Sequence, residues 1–260
     1  VPYHAVEGDL SRLVQKGYKV AIAEQMEDPK QAKGLVKREV IRVVTPGTLT
    51  NSQVLEESKN NYLMGIVYLD GVFGVSTVDV STGDYLVTEV RNERSLLDEI
   101  YKFSPSELIC NEAFYMSGID LEDLKVRLNA VISALENRFF SDDSCRRILR
   151  EHFHVEHLEA LGLADYETGA IAAGAVLQYL YETQKNTLEH LTRLTVYTTG
   201  QFMMLDTSTR RNLELTETLR EKQKRGTLLW VLDKTKTAMG ARMLRTLVEQ
   251  PLISLSLIHI

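Results

Sequence analysis

Tyr62-Leu-Met-Gly-Ile-Val-Tyr-Leu69, Asp70-Gly71 and Val72-Phe-Gly-Val-Ser-Thr-Val-Asp-Val80 form the stretch that decides the fold. The dipeptide Asp70-Gly71 is a two-residue hairpin signal between two β-like runs. A third run, residues 84–90, follows the turn Ser81-Thr-Gly83. The stretch therefore predicts three antiparallel strands.

The residues after this meander alternate between helical and strand-like patterns. Apolar spacing predicts a helix at 93–103, a strand at 107–110, a helix near Asp120 to Val131, and helices at 141–153 and 167–184. Glycine and alanine at 169–175 would let the last helix pack very closely on a neighbour. A meander followed by such an alternation suggests an RNase H-like α/β domain, which we place at residues 51–185, with a polar linker at 51–60.

The first fifty residues predict a partial mixed α/β unit. Apolar residues repeat with helical spacing from Val6 to Val14, and Gly17 is placed to end the helix in the left-handed conformation. Strand-like runs follow at 18–23 and 40–44, and the second ends in the turn Thr45-Pro-Gly47. We assign residues 1–50 to this incomplete unit.

Residues 186–260 predict a mainly helical segment. From Asp206 to Glu249 there are ten Lys and Arg against six Asp and Glu, so this stretch carries +4 in a chain of net charge -6. A helix should start at an N-cap Thr237 and stop before Pro251. Its apolar stripe comprises Met239, Met243, Leu244, Leu247 and Val248. Arg242 and Arg245 should then point away from that stripe. The fold class is α/β followed by mainly α.

The composition argues against a membrane protein and against a disulfide-rich secreted protein. No run approaches the roughly 18 apolar residues that a membrane helix needs, so we expect no membrane span. Two cysteines, Cys110 and Cys145, are too few for a disulfide framework, and a cytoplasmic location fits best.

The chain opens on Val1 without methionine, and its last residues, 254–260, break the preceding pattern. We expect a piece of a longer protein whose residues 254–260 are a truncated or foreign tail.

Several strings of residues resemble the MutS family of DNA mismatch-recognition ATPases. They are Val1-Pro-Tyr-His-Ala-Val-Glu-Gly8, Lys16-Gly-Tyr-Lys-Val-Ala21, Thr45-Pro-Gly-Thr48, Leu205-Asp206, Thr209-Arg-Arg-Asn-Leu-Glu-Leu215, Thr227-Leu-Leu-Trp-Val-Leu-Asp233 and Thr237-Ala-Met-Gly-Ala-Arg-Met-Leu-Arg245. The resemblance covers about residues 1 to 253. It implies the end of a mismatch-recognition domain, a connector domain that resembles the RNase H fold, and the start of a helical core (lever and clamp) domain.

The resemblance also implies what the longer protein does. Such proteins dimerise, clamp mismatched double-stranded DNA, use ATP with Mg²⁺, and recruit MutL, for which the connector is an expected contact surface. The family's reading motif, Phe-x-Glu, does not occur in residues 1–50, and none of the fifteen glycines is followed by lysine, so no P-loop is present. We therefore predict that this chain is not an enzyme and takes no cofactor.

The sequence offers only weak candidates for DNA contact. Pro2, Tyr3 and His4 precede the first helix, whose N-terminus would favour phosphate. Arg210 and Arg211 could contact phosphate too, as could the basic cluster 220–225, although charge runs are more often solvated helix faces. Trp230, the only tryptophan, is expected in the core rather than as a base-stacking platform.

Two alternative functions stay open. An RNase H-like sheet suggests a metal-dependent nuclease, with Asp79, Asp84 and Glu99 as candidate ligands, but the strand at 62–69 carries no acid and solvent-facing or turn-capping acids are favoured. The other alternative is a MutS-like paralogue that acts on recombination intermediates.

Histidines at 152, 154 and 157 could ligate Zn²⁺, although surface histidines near a helix end are favoured.

Overall fold

The first unit of the computed structural model is a helix followed by two antiparallel strands. The structure describes residues 6–27, 34–49, 59–185, 188–203, 205 and 207–253. Helix α1 spans Val6–Gln15, strand β1 Val20–Gln25 and strand β2 Arg38–Val44. Gly17 follows α1 at φ 86°, as the sequence predicts, and β1 pairs with β2 from Val20 opposite Val44. Val14, Val44 and Leu49 form a small core for this unit.

The second unit is built on a six-stranded sheet. Its strands are β3 Tyr62–Leu69, β4 Val72–Asp79, β5 Asp84–Val90, β6 Glu107–Cys110, β7 Val131–Ala134 and β8 Thr195–Val196. The order is β7-β6-β3-β4-β5-β8. Strands β3, β4 and β5 form the predicted antiparallel meander, while β6, β7 and β8 add parallel pairings. Asp70 and Gly71 both have positive φ, 50° and 81°, which a tight type I′ turn requires.

Helices cover both faces of this sheet, because its strands place apolar residues on alternate sides. One face carries α2 Glu93–Phe103, α3 Glu112–Tyr115 and α4 Leu121–Leu128, and the other carries α5 Asp142–Phe153 and α6 Glu167–Gln184. Met64 and Ile66 of β3 pack toward the first group, and Leu63 and Val67 pack toward the second. The predicted helices 141–153 and 167–184 are confirmed within one residue.

Helix α6 packs as closely as its glycine and alanine content predicts. A Cβ added at Gly174 would lie 2.3 Å from the Cβ of Cys145 on α5, and one at Gly65 of β3 would lie 2.4 Å from Val176 Cγ2. Fourteen of the eighteen residues of α6 are buried, so the helix is enclosed on nearly every side. It is the central helix of this unit.

One predicted boundary is wrong, and two short strands were not predicted. The helix expected near Asp120 to Val131 ends at Leu128, because Asn129 adopts the left-handed conformation at φ 52° and caps it. Val131 instead begins β7, which runs parallel to β6 and which the sequence did not predict. Strand β8 was also missed, since two residues are too few for a periodic signal.

The third segment contains α7 Thr207–Asn212, α8 Leu228–Leu232 and α9 Ala238–Glu249. The predicted N-cap is confirmed, because the Thr237 side chain accepts a hydrogen bond from Gly240 N. Met239, Met243 and Leu247 of the predicted stripe are 71%, 61% and 52% exposed, whereas Arg245 lies against Glu217 and Glu249. Within the described chain, most of the apolar stripe is therefore left uncovered.

Trp230 is 48% exposed, so its predicted core position is also wrong. The indole lies on the outer side of the short helix α8, next to the exposed Val231, whereas Leu229 points inward. Within the described residues, no helix has the length and apolar content to cross a bilayer.

Candidate functional site

The predicted DNA-contacting arginines lie in different environments. Arg210 is partly buried, and its guanidinium donates to the carbonyl oxygens of Leu205 at 3.0 Å, Lys102 at 3.4 Å and Tyr101 at 3.5 Å. Burial lowers its pKa, and nearby carboxylates oppose that effect. Arg211 is exposed on α7. Arg210 therefore ties α7 to the end of α2, and a role for either arginine in binding DNA stays a prediction.

The other predicted contacts give no interface by themselves. Pro2, Tyr3 and His4 lie outside the described residues. The basic cluster 220–225 is largely exposed, but it lies on turns rather than on the helix that the sequence suggested. Lys224 pairs with Asp233, which holds the pKa of that carboxyl well below its usual range.

The acids of the nuclease hypothesis have separate structural roles. Asp79 caps the β4–β5 turn, because its carboxylate accepts from Ser81 N at 2.8 Å, Ser81 Oγ at 2.6 Å and Asn61 N at 3.1 Å. Asp84 is exposed, whereas Glu99 is buried on α2 instead of facing solvent as expected. Among the residues that the structure describes, no group of three His, Cys, Asp or Glu side chains could hold a metal.

The histidines at the end of α5 also have structural positions. His152 is half-buried, not a surface residue: its Nε2 lies 2.8 Å from the Leu191 carbonyl oxygen and its Nδ1 lies 2.7 Å from the Tyr181 hydroxyl. A carbonyl only accepts, so Nε2 carries the proton and Nδ1 accepts from tyrosine. His154 ends the helix in the left-handed conformation, and His157 is exposed.

A buried carboxylate joins the first unit to the six-stranded sheet. Glu107, the first residue of β6, has a fully buried side chain. It accepts hydrogen bonds from the Thr45 hydroxyl, from Gly47 N at 3.1 Å and from the Tyr179 hydroxyl at 2.6 Å, and Lys19 Nζ lies 3.3 Å away. Burial and the neighbouring carboxylate raise the pKa of Tyr179, so the tyrosine stays a donor. We call this set the Glu107 junction.

The Thr45-Pro-Gly-Thr48 turn fits against β3 and β6 because residue 47 lacks a side chain. A Cβ there would lie 2.9 Å from the Cβ atoms of both Leu63 and Glu107. Thr45 N donates to Thr48 Oγ1 at 2.9 Å, and Asn61 Nδ2 donates to the carbonyl oxygens of Pro46 and Leu49. The turn is thus fixed by its own bonds and by the sheet.

A second buried pair joins the sheet to the segment that follows α6. Lys102 Nζ lies 3.2 Å from Glu99 Oε2, with side-chain exposures of 8% and 2%. The same ammonium lies 4.3 Å from the ring centroid of Tyr197 and 4.9 Å from that of Phe202. The Tyr197 hydroxyl donates to Glu99 at 2.5 Å. Burial lowers the pKa of Lys102 against the opposing effect of Glu99. We call this set the Lys102 junction.

Three family models match the chain. They are MutS domain I over residues 1–53, MutS domain II over residues 61–192 and MutS domain III over residues 208–259. The chain belongs to the MutS family. The match of residues 1–53 to domain I disfavours the paralogue alternative, since the resemblance implies that such paralogues usually lack that domain.

Curated relatives agree with this assignment. The DNA mismatch repair protein MutS of Lachnoclostridium phytofermentans is 62% identical over 98% of this chain and 27% of that protein. Those of Ruminiclostridium cellulolyticum and Acetivibrio thermocellus are each 48% identical over 98% of this chain and 29% of those proteins. The chain spans less than a third of the length of these relatives.

Within the family's domain order, the two junctions lie at the domain boundaries. The Glu107 junction joins the segment matched to domain I with that matched to domain II, and the Lys102 junction fastens residues 197–202, which connect domain II to domain III. Neither junction was predicted from the sequence. A charged residue at the start of the otherwise apolar run Glu107-Leu-Ile-Cys110 was the only signal for the first of them.

Proposed function

We propose that this chain acts in DNA mismatch repair as a non-catalytic coupling unit. The observation that carries this proposal is the pair of buried ionic junctions, which fasten the segments on either side to one α/β unit. Breaking a buried ion pair leaves an uncompensated charge and is strongly destabilising, which favours the geometry in which these groups are bonded. A change in the position of the first unit would therefore be transmitted to the connector.

The longer protein supplies the remaining activities in this proposal. It binds mismatched double-stranded DNA as a homodimer, uses ATP and Mg²⁺, recruits MutL through the connector surface, and acts in the cytoplasm. The present chain takes no cofactor and hydrolyses neither ATP nor nucleic acid. No glycine of the chain is followed by lysine, which supports the statement that it does not hydrolyse ATP. The separate structural roles of Asp79 and Glu99 support the statement that it does not hydrolyse nucleic acid.

We also propose that residues 61–192 have an RNase H-like fold. The antiparallel meander β3–β5, extended from β3 by the parallel strands β6 and β7, supports this assignment. Fold likeness does not supply a nuclease site.

A chimera tests the proposed role. The 255 matching residues of the Lachnoclostridium phytofermentans relative are replaced by those of this chain, and the chimera is expressed in a bacterium that lacks its own mismatch-repair MutS. We expect a spontaneous mutation frequency as low as with the unmodified relative. A frequency equal to that of the deletion strain, with equal amounts of protein, would refute the proposal.

Variants of the chimera separate coupling from DNA binding. Glu107→Gln and Lys102→Ala should raise the mutation frequency while a G·T duplex still binds normally. The matched control, Glu122→Gln, removes an exposed ion pair with Lys125 on α4 and should change neither measurement. Loss of duplex binding in both junction variants would show that the junctions support DNA binding and not coupling.

A further inference from the structure

A cleft of about 860 Å³ lies between the six-stranded unit and the third segment. Its walls come from the ends of α2 and α4 on one side and from residues 210–222 and the end of α9 on the other. Seven Lys and Arg side chains line it against two glutamates. This is an unusual concentration of positive charge in a chain of net charge -6.

Local ion pairs neutralise only part of this charge. The pairs are Lys59–Glu217 at 2.8 Å, Lys102–Glu99 at 3.2 Å, Arg127–Asp123 at 2.7 Å and Arg245–Glu249 at 3.0 Å. Subtracting these four carboxylates from the seven cations leaves +3. The surplus belongs to Arg210, Arg211 and Lys222. Arg210 is held by carbonyl oxygens and also interacts electrostatically with Asp98, Glu99 and Glu249, so Arg211 and Lys222 carry the charge that a ligand can reach.

The free donors of the cleft belong to Arg211 and Lys222. Both side chains are exposed, and neither has a hydrogen bond or an ion pair within the described ranges. Burial raises the pKa of Glu217, but Lys59, Arg245 and Lys222 outweigh that effect and lower it. The positive potential of the cleft thus already stabilises one anion, and two flexible cations remain to bind another.

We propose that this cleft binds phosphate groups, two or more at a time. Guanidinium donors match phosphate oxygens in geometry, and a lysine adds a mobile point charge. Neutral donors, Asn60 and Thr218, line the same cleft and can complete the coordination of phosphate oxygens. The phosphates come either from a small polyphosphate or from a nucleic-acid backbone, since both present the same chemistry.

Two probes distinguish these sources. The chain is titrated at low salt with inorganic tripolyphosphate by calorimetry and with a fluorescent 15-nucleotide single strand by anisotropy. We expect saturable binding of at least one probe. The double variant Arg211→Ala and Lys222→Ala should weaken it by at least about tenfold and, for the single strand, reduce the slope of log K against log salt by about 1.4.

The matched control is Arg193→Ala, an exposed cation that lines a different cleft. It should leave the affinity unchanged. Binding of tripolyphosphate assigns the site to small polyphosphates, and binding of the single strand alone assigns it to a nucleic-acid backbone. No binding of either probe, or equal losses in the double variant and the control, would overturn the proposal.

Hydrogen exchange gives a second measurement on the unmodified chain. Saturating tripolyphosphate or single strand should slow amide exchange in residues 210–222 and leave β1 and β2 unchanged. Binding without protection of residues 210–222 would place the ligand elsewhere and refute the assignment to this cleft. The inference is independent of the mismatch-repair role, because tripolyphosphate tests it without DNA.

Discussion

Glu107→Gln should release the first unit from the six-stranded sheet. Glutamine keeps the shape of the side chain but replaces one carboxylate oxygen with an NH₂ group, which cannot accept hydrogen bonds. The carboxylate now accepts from Thr45, Gly47 and Tyr179 and lies 3.3 Å from Lys19. The substitution therefore leaves at least one buried donor without an acceptor.

The size of the effect follows from these contacts. A hydrogen bond to a charged group contributes about 1.5–3 kcal/mol, and a buried donor left unsatisfied costs about 1–3 kcal/mol. The Lys19 side chain is 36% exposed, so its ion pair adds little after solvent screening. We expect a loss of about 3 kcal/mol in the free energy that holds the first unit on the sheet.

Hydrogen exchange measures this loss locally. A two-stranded sheet is marginally stable by itself, so β1 and β2 depend on their contacts with the six-stranded unit. Their amides should exchange roughly a hundredfold faster in the variant, since about 1.4 kcal/mol corresponds to tenfold. Strands β3 and β4 should keep their protection, and Glu122→Gln should change neither region. Unchanged exchange in β1 and β2 of the Glu107→Gln variant would refute the reasoning.

Four further outcomes are expected. Gly174→Ala should destabilise the chain to urea by about 1–3 kcal/mol, because the new Cβ would lie 2.3 Å from Cys145 Cβ, whereas Gly8→Ala meets nothing within 4 Å and should not destabilise it. Burial raises the pKa of the Cys110 and Cys145 thiols to about 12, so an aromatic disulfide reagent should modify neither until the chain is unfolded. Burial lowers the pKa of His152 in the folded chain below 6.5, so the unfolded chain binds a proton there more readily than the folded chain does. The stability of the chain to urea should therefore fall as the pH drops below 6.5, and His152→Gln should make stability less dependent on pH in that range. A G·T duplex and its matched control should bind this chain equally weakly, and a tenfold preference for the mismatch, about 1.4 kcal/mol, would contradict the prediction.

The meander could be predicted from sequence because its signals are local. Asp70-Gly71 specifies its turn by its own backbone preferences, and alternation in the flanking runs needs no distant partner. Strand β7 depends instead on parallel pairing with β6, and its apolar residues continue the helical spacing of α4. Only Asn129 and Ala130 separate the two. The left-handed conformation of Asn129 ends α4, and asparagine does not always adopt that conformation.

The junctions could not be predicted, since their partners are far apart in sequence. Thr45 and Glu107 are 62 residues apart, and Glu99 and Tyr197 are 98 residues apart. Taken singly, charged residues are mostly exposed, so Glu99 was expected at the surface. For Trp230 of α8 the error is of another kind. Periodicity shows which residues share a face, but it does not show what covers that face, as the exposure of Met239 and Trp230 illustrates.

The two junctions lie on one short piece of chain. Glu99 and Lys102 belong to the last turns of α2, and Glu107 begins β6 after a connection of only three residues. The α2 end of that connection is fixed, because Ser104 adopts the left-handed conformation and its N–H bonds to the Ile100 carbonyl oxygen. Both elements are buried in the core of the six-stranded unit, where dense packing resists gradual deformation. A shift of the first unit at Glu107 must therefore be taken up within a few residues of the site that fastens residues 197–202. This short route explains how one α/β unit could couple its two neighbours without a moving hinge of its own.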